Sequence, residues 1–149
     1  MSAHTHPPIF IGADHGGFEY KKQLSEYLQS LGYAVTDCGA YTLEQLDDYP
    51  QFAIEVAKQV AVQENALGIL LCRTGAGMCI AANKQAKIRA VCTVTPETTR
   101  LAREHNHANV LALGADEVSL ETARELVRTF LESVPSSEQR HVRRVSQLE

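Results

Sequence analysis

The segment Leu67–Lys84 reads L-G-I-L-L-C-R-T-G-A-G-M-C-I-A-A-N-K: an apolar run, a glycine-bearing hexapeptide and a helix-like stretch. Ile69, Leu70 and Leu71 are uniformly apolar rather than alternating, as in a strand buried on both faces of a parallel sheet. Ligands of such sheets bind beyond the C-terminal ends of the strands. Gly75 and Gly77 allow a sharp turn that brings backbone N–H groups close to a bound anion, where the following helix adds its positive end. Phosphate or an enediolate oxygen suits that position.

Cys72 heads the loop. A thiol near a helix N-terminus and beside a cation, here Arg73, is expected to ionise more readily than a free one, which makes it a candidate base or nucleophile. The alternative is a small core residue that closes a strand. Familiar phosphate motifs do not fit. Ile80 stands where the dinucleotide fingerprint has its third glycine, and no Lys-Ser/Thr pair follows for a P-loop. Met78 stands where a phosphatase-style loop has its arginine.

At 149 residues the chain fits one domain that buries about two-thirds of its unfolded surface. Cys38, Cys72, Cys79 and Cys92 form no CxxC pair and read as reduced thiols of a cytoplasmic protein. His105 and His107, like His4 and His6, form an H-x-H without a second close ligand pair, so no metal is expected. No run approaches the length of a membrane span, and no basic segment leads into an apolar one at the N-terminus. A net charge of −4 argues against nucleic acid as a partner, although Arg140-His141-Val142-Arg143-Arg144 is locally basic and suits one small anion.

Residues 1–8 read as a loose tail and Ile9–Ala13 as the first strand, followed by the polar turn Asp14-His15-Gly16-Gly17. Tyr20, Leu24, Tyr27, Leu28 and Leu31 recur at helical spacing, with Gly32 as the stop. A short strand centres on Ala34 and Val35. A loop from Cys38 to Tyr49 then leads into a helix with Pro50 at its first position and Phe52, Ala53, Val56, Ala57 and Val60 on its apolar face. After the central strand come a strand over 88–94, a helix from Pro96 to about Arg103, and a strand over 110–113. The last long helix is capped by Ser119, buries Ala123, Leu126, Val127, Phe130 and Leu131, and is ended by Pro135. A basic tail, 136–149, remains. The expected fold is a three-layer α/β/α sandwich on an open, mainly parallel five-stranded sheet, with Asp14-His15, the 72–77 loop and the residues before Asn109 sharing one pocket.

With these pieces placed, the sequence resembles the B-type ribose-5-phosphate isomerases and their galactose-6-phosphate isomerase relatives. The resemblance rests on Gly12-Ala13-Asp14-His15-Gly16-Gly17-Phe18, Asp48-Tyr49-Pro50, Cys72-Arg73-Thr74-Gly75-Ala76-Gly77 with Ile80-Ala81-Ala82-Asn83-Lys84, His105-Asn106 with Asn109-Val110-Leu111-Ala112, and Arg140 with Arg144. It implies a cofactor-free aldose–ketose isomerase that acts on a phosphorylated sugar through a cis-enediol. It also implies a homodimer whose sites borrow residues across the interface, with pairing of dimers into a tetramer left open. Ribose 5-phosphate leads as substrate. Galactose 6-phosphate, allose 6-phosphate or a tetrose phosphate is the alternative, as is a non-catalytic sugar-phosphate binding module.

By the same resemblance Cys72 would move the proton between C2 and C1, His105 would assist ring opening, and Asp14 would handle ring or hydroxyl protons. Thr74 and the N–H groups of Gly75, Ala76 and Gly77 would hold the enediolate oxygen. His15, Arg140 and Arg144 would bind phosphate, and Tyr49 and Asn106 the sugar. Two positions depart from the family pattern: Arg73 where glycine is usual, and Asp116 where an arginine often stands. Arg73 is expected to point inward and restore a positive charge near the anion site.

Overall fold

The computed structural model describes residues 6–149. Its element order is β1 (Ile9–Ala13), α1 (Phe18–Ser30), β2 (Val35–Asp37), α2 (Tyr49–Val62), β3 (Leu67–Cys72), α3 (Ala76–Asn83), β4 (Ala90–Cys92), α4 (Pro96–Asn106), β5 (Val110–Gly114), α5 (Leu120–Glu132) and α6 (Gln139–Ser146). The strands form one parallel sheet in the order β2-β1-β3-β5-β4.

β3 lies at the centre, and all of its residues are buried. Its side chains alternate between two cores. Leu67, Ile69 and Leu71 pack with Leu24 and Leu28 of α1, Ala102 of α4 and the α5 stripe from Ala123 to Leu131. Leu70 and Cys72 pack with Val56 and Val60 of α2 and Met78 and Ala82 of α3. This division follows from the single hand of parallel crossovers. The connections β1–α1–β2 and β4–α4–β5 run one way along the sheet, and those through α2 and α3 run the other, so their helices cover opposite faces. Each large aliphatic side chain removed from water on either face stabilises the fold by about 1.5–3 kcal/mol.

Several expected boundaries move. β4 pairs over three residues, not the seven of 88–94. Below it, Arg89 is engaged by its own N–H donating to the Asn109 side chain and its carbonyl accepting from Asn109 N. Above it, the Thr93 hydroxyl pairs with Thr99 rather than extending the ladder. α4 runs a turn's length past Arg103 to Asn106, where His107 closes it at φ 51°. Ser119 caps α5 as expected, accepting from Thr122 N at 3.1 Å.

Of the two tails, the first also differs from expectation. Residues 1–5 of the N-terminal one, with His4, lie outside the described residues. His6 stacks on Tyr33 with centroids 4.0 Å apart, and the Pro8 carbonyl accepts from Leu67 N at 3.0 Å, so 6–8 is docked. The basic C-terminal tail, 136–149, is mostly the helix α6. Its anchor is His141, which is buried against His105 of α4, with Ser136 N donating to the Glu104 carbonyl just before it.

Candidate active site

β1 and β3 are neighbours, yet the helices that follow them lie on opposite faces. The reversal opens a crevice beyond their C-terminal ends. One wall is the Asp14–Gly17 turn. Asp14 is buried, and its Oδ1 accepts from Gly16 N at 2.9 Å and Gly17 N at 3.3 Å. Burial raises its pKa above 3.8, against the lowering effect of the Gly16 N–H. Asp14 therefore supports the start of α1 while presenting a carboxyl with unusual affinity for a proton.

His15 is held by a residue that the sequence did not single out. Asp47 Oδ1 accepts from His15 N at 3.0 Å and lies 2.7 Å from His15 Nδ1, and the Asp47 side chain is only 7% exposed. The carboxylate at Nδ1 fixes the orientation of the ring and leaves Nε2 as the nitrogen open to a ligand. Asp14, His15 and Asp47 bring donor atoms within 4.8 Å of one another, the geometry a metal would need. Asp47 Oδ1 is engaged by His15 in a hydrogen-bonded dyad, while its buried Oδ2 has no partner among the described residues. In sequence Asp47 is one of two adjacent aspartates at a loop end, and only its neighbour Asp48 falls within a motif of the resemblance.

The other wall is the loop after β3. Cys72 is 5% exposed, and its Sγ accepts from Gly75 N at 3.2 Å, at the N-terminus of α3. Gly75 takes φ 83°, and a Cβ there would fall 2.7 Å from Cys92 Sγ and 2.9 Å from the Leu113 backbone, so glycine is required twice over. Gly77 has no side chain because the Tyr49 ring lies on it: a Cβ would approach that ring to 2.6 Å. Tyr49 thus comes from the start of α2 to close the loop from above. Thr74 is exposed at the rim, as is Ala76.

Arg73 does not turn inward as expected. Its side chain is 65% exposed and its guanidinium faces Asp116 at 3.6 Å, across the loops that follow β3 and β5. The two departures from the family pattern compensate each other in charge, at the surface, rather than rebuilding an anion site. Charged groups stay hydrated where they can, and the stem of Arg73 packs over Gly16, where a Cβ would meet its Cγ at 2.6 Å. Arg73→Gly is expected to change kcat/KM by no more than roughly fivefold, the range of an exposed ion pair, as read by steady-state kinetics.

The expectation that residues before Asn109 share this crevice fails within one chain. Loops that follow strands gather at the C-terminal edge, but His105 and Asn106 precede β5 and end α4, so they sit at the opposite edge. Gly68 pairs with Val110 and Cys72 with Gly114, so the edges are separated by about 13 Å of strand. Arg140 and Arg144 lie with His105 and Asn106, because α6 packs on α4 through His141: the two imidazoles stack at 4.2 Å and 8°. Arg140 Nε donates to Glu138 at 2.9 Å. Burial, and next the charge of His105, pushes His141 below 6.5. Set in a run of arginines, His141 carries no mark in the sequence of being an anchor.

The two groups are therefore Asp14, His15, Tyr49, Cys72 and Thr74 at one edge, and His105, Asn106, Arg140 and Arg144 at the other. The family model described as Ribose/Galactose Isomerase matches residues 9–148, spanning both groups. The chain belongs to the ribose/galactose isomerase family. Among the members it is similar to, ribose-5-phosphate isomerase B of Mycobacterium leprae is 39% identical over 92% of this chain and 85% of that protein. The isomerase B structure from Mycoplasma genitalium, with bound ribulose-5-phosphate, superposes at a TM-score of 0.92 with 39% identity, covering 97% of this chain and 95% of the other. That from Thermotoga maritima gives 0.90 with 42% identity over 96% and 97%. The ribose/galactose isomerase family thus accounts for the order of motifs and for the sheet. No helix among the described residues is long and apolar enough to cross a membrane.

Proposed function

We propose that this chain interconverts ribose 5-phosphate and ribulose 5-phosphate without a cofactor. The observation that carries the reading is a buried thiol at the floor of the crevice, its sulfur held by the Gly75 N–H, in a family member whose relative from M. genitalium binds ribulose-5-phosphate. The Cys72 thiolate removes the proton from C2 of the open aldose. The resulting charge moves to O1, where Thr74 and the loop N–H groups hold the cis-enediolate. The thiol then returns the proton to C1. Asp14, a carboxyl whose burial favours its protonated form, serves the hydroxyl protons. His15, oriented by Asp47, meets the phosphate, and Tyr49 borders the sugar.

The remaining roles fall to residues that one chain holds at its far edge. In a homodimer each copy offers that edge to the other's crevice, so His105 opens the sugar ring in the partner's site, Asn106 contacts the sugar, and Arg140 and Arg144 neutralise the phosphate. Four free cysteines suit the reducing cytoplasm.

Assay of the purified protein against ribose, galactose and allose 6- or 5-phosphates and a tetrose phosphate tests the reading. The highest kcat/KM is expected with ribose 5-phosphate, and preference for a six- or four-carbon aldose would replace the substrate but keep the reaction. Binding without turnover of any of them would overturn the enzyme.

Asp14→Asn separates the carboxyl's two duties. Because its folded pKa is raised, the ionised form is disfavoured in the fold, so stability falls as pH rises above 3.8 through the folded value. An asparagine keeps an acceptor for Gly16 and Gly17 without that cost. The expected variant melts at or above the wild-type temperature at pH 7, while its turnover drops by about two orders of magnitude, the contribution of a proton-transfer group.

A further inference from the structure

At the N-terminal edge of the sheet, away from the catalytic loop, lies a cavity of about 720 Å³. It opens beneath the segments that lead into β1, β3 and β5, between the ends of α2 and α5. Its volume is that of a small-molecule site. Lys87, Arg89 and Arg103 line it, and Glu149 is the carboxylate among the described lining residues.

Arg103 is the unexplained element. One of its terminal nitrogens donates to the Ala108 carbonyl at 2.7 Å, and its guanidinium lies over the Phe130 ring at 5.3 Å. Its Nε is buried with no hydrogen-bond partner among the described residues, which also give it no carboxylate. Burial, with Arg89 nearby, pushes its pKa down to about 10. A partly desolvated cation left without a counter-charge is costly, and a guanidinium fork matches an oxyanion in shape as well as charge.

Arg89 is fixed beside it, Nε donating to the His107 carbonyl at 2.8 Å. Its outer nitrogen meets Glu149 Oε1 at 2.6 Å, which shows that a carboxylate can reach into this cavity. Glu149 is 43% exposed and easily displaced.

We infer that this cavity is a second binding site, for a small oxyanion borne by a phosphate group or a carboxylate, and that Glu149 stands in for the ligand when the site is empty. Neither Arg140 nor Arg144 lines it, so it is separate from the phosphate-binding group proposed above. Arg103 is two residues from His105 on the same helix, which places any occupant beside the end of α4 that serves catalysis.

The test is proton–nitrogen NMR of the arginine Nε–H groups in the full chain, titrated separately with inorganic phosphate and with malonate. The Arg89 and Arg103 signals are expected to move and saturate. A response to phosphate alone assigns a phosphate-bearing ligand, and one to malonate alone a carboxylate. Glu149→Gln, an exposed substitution that leaves the fold intact, is expected to tighten binding by roughly twofold to fivefold, the effect of one surface ion pair. Arg103 signals unmoved by either anion, in wild type and Glu149→Gln alike, would overturn the site, and equal affinity in the two proteins would overturn the role of Glu149.

Discussion

Replacing Cys72 by alanine yields a folded chain whose turnover falls by about two to four orders of magnitude, the loss expected when a positioned base is removed from a proton transfer. The fold survives because the side chain is small, and what is lost besides chemistry is one acceptor for the Gly75 N–H. Circular dichroism and thermal melting report the fold, and an aldose-to-ketose assay reports the turnover. Cys72→Ser, which keeps an acceptor but is a far weaker acid, should be nearly as slow. The other thiols are controls. Burial pushes Cys38 and Cys92 up to about 11, so neither supplies a thiolate at neutral pH, and Cys79 is raised too. Near-wild-type rates in Cys72→Ala would end its assignment as the base.

A second large effect is expected from mixing two dead proteins. Cys72→Ala is defective at the crevice and His105→Ala at the far edge of the sheet. If each site combines one chain's crevice with the other's far edge, a mixed dimer contains one site with both defects and one with neither. Co-refolding equal amounts should raise activity from near zero to about a quarter of wild type, since half the dimers are mixed and each has one intact site of two. An assay over mixing ratios gives the curve, with its maximum at equal amounts. No recovery after verified subunit exchange would mean that both residues serve the same chain's site.

The order of strands and helices was legible because β1, β3 and β5 are continuous apolar runs between glycine-bearing turns, and the helices carry clear apolar stripes. β4 was overread: Ile88, Ala90, Val91 and Val94 look like strand, but an edge strand pairs on one side only and its ends were taken by Asn109 and Thr99. The crevice was legible in Asp14-His15 and the cysteine loop. Asp47 was not, because a long loop gives no periodicity from which to infer that its last turn folds back 32 residues onto His15. Arg73 was misread because charge alone does not give direction, and its counter-ion Asp116 lies on a different loop. The separation of His105 from Cys72 within one chain follows a rule readable from sequence: residues just before a parallel strand lie at the opposite edge of the sheet from residues just after one.

That rule makes α4 a ruler. Capped by Thr95 at the C-terminal edge of the sheet, it carries His105, ten residues further on, about 15 Å to the opposite edge. In the proposed dimer the helix would set both the spacing and the phase between one copy's loop and the other's. Its outward face is polar and would tolerate substitution freely, but not a change of length. One residue inserted into the exposed first turn would rotate everything beyond it by about 100°, swinging His105 off its bearing while Cys72, far away in sequence, stayed where it was. Drift in this family should therefore be permissive in letter on that outward face and strict in count along α4, and a chain with a lengthened α4 would be crippled in its partner's site before its own.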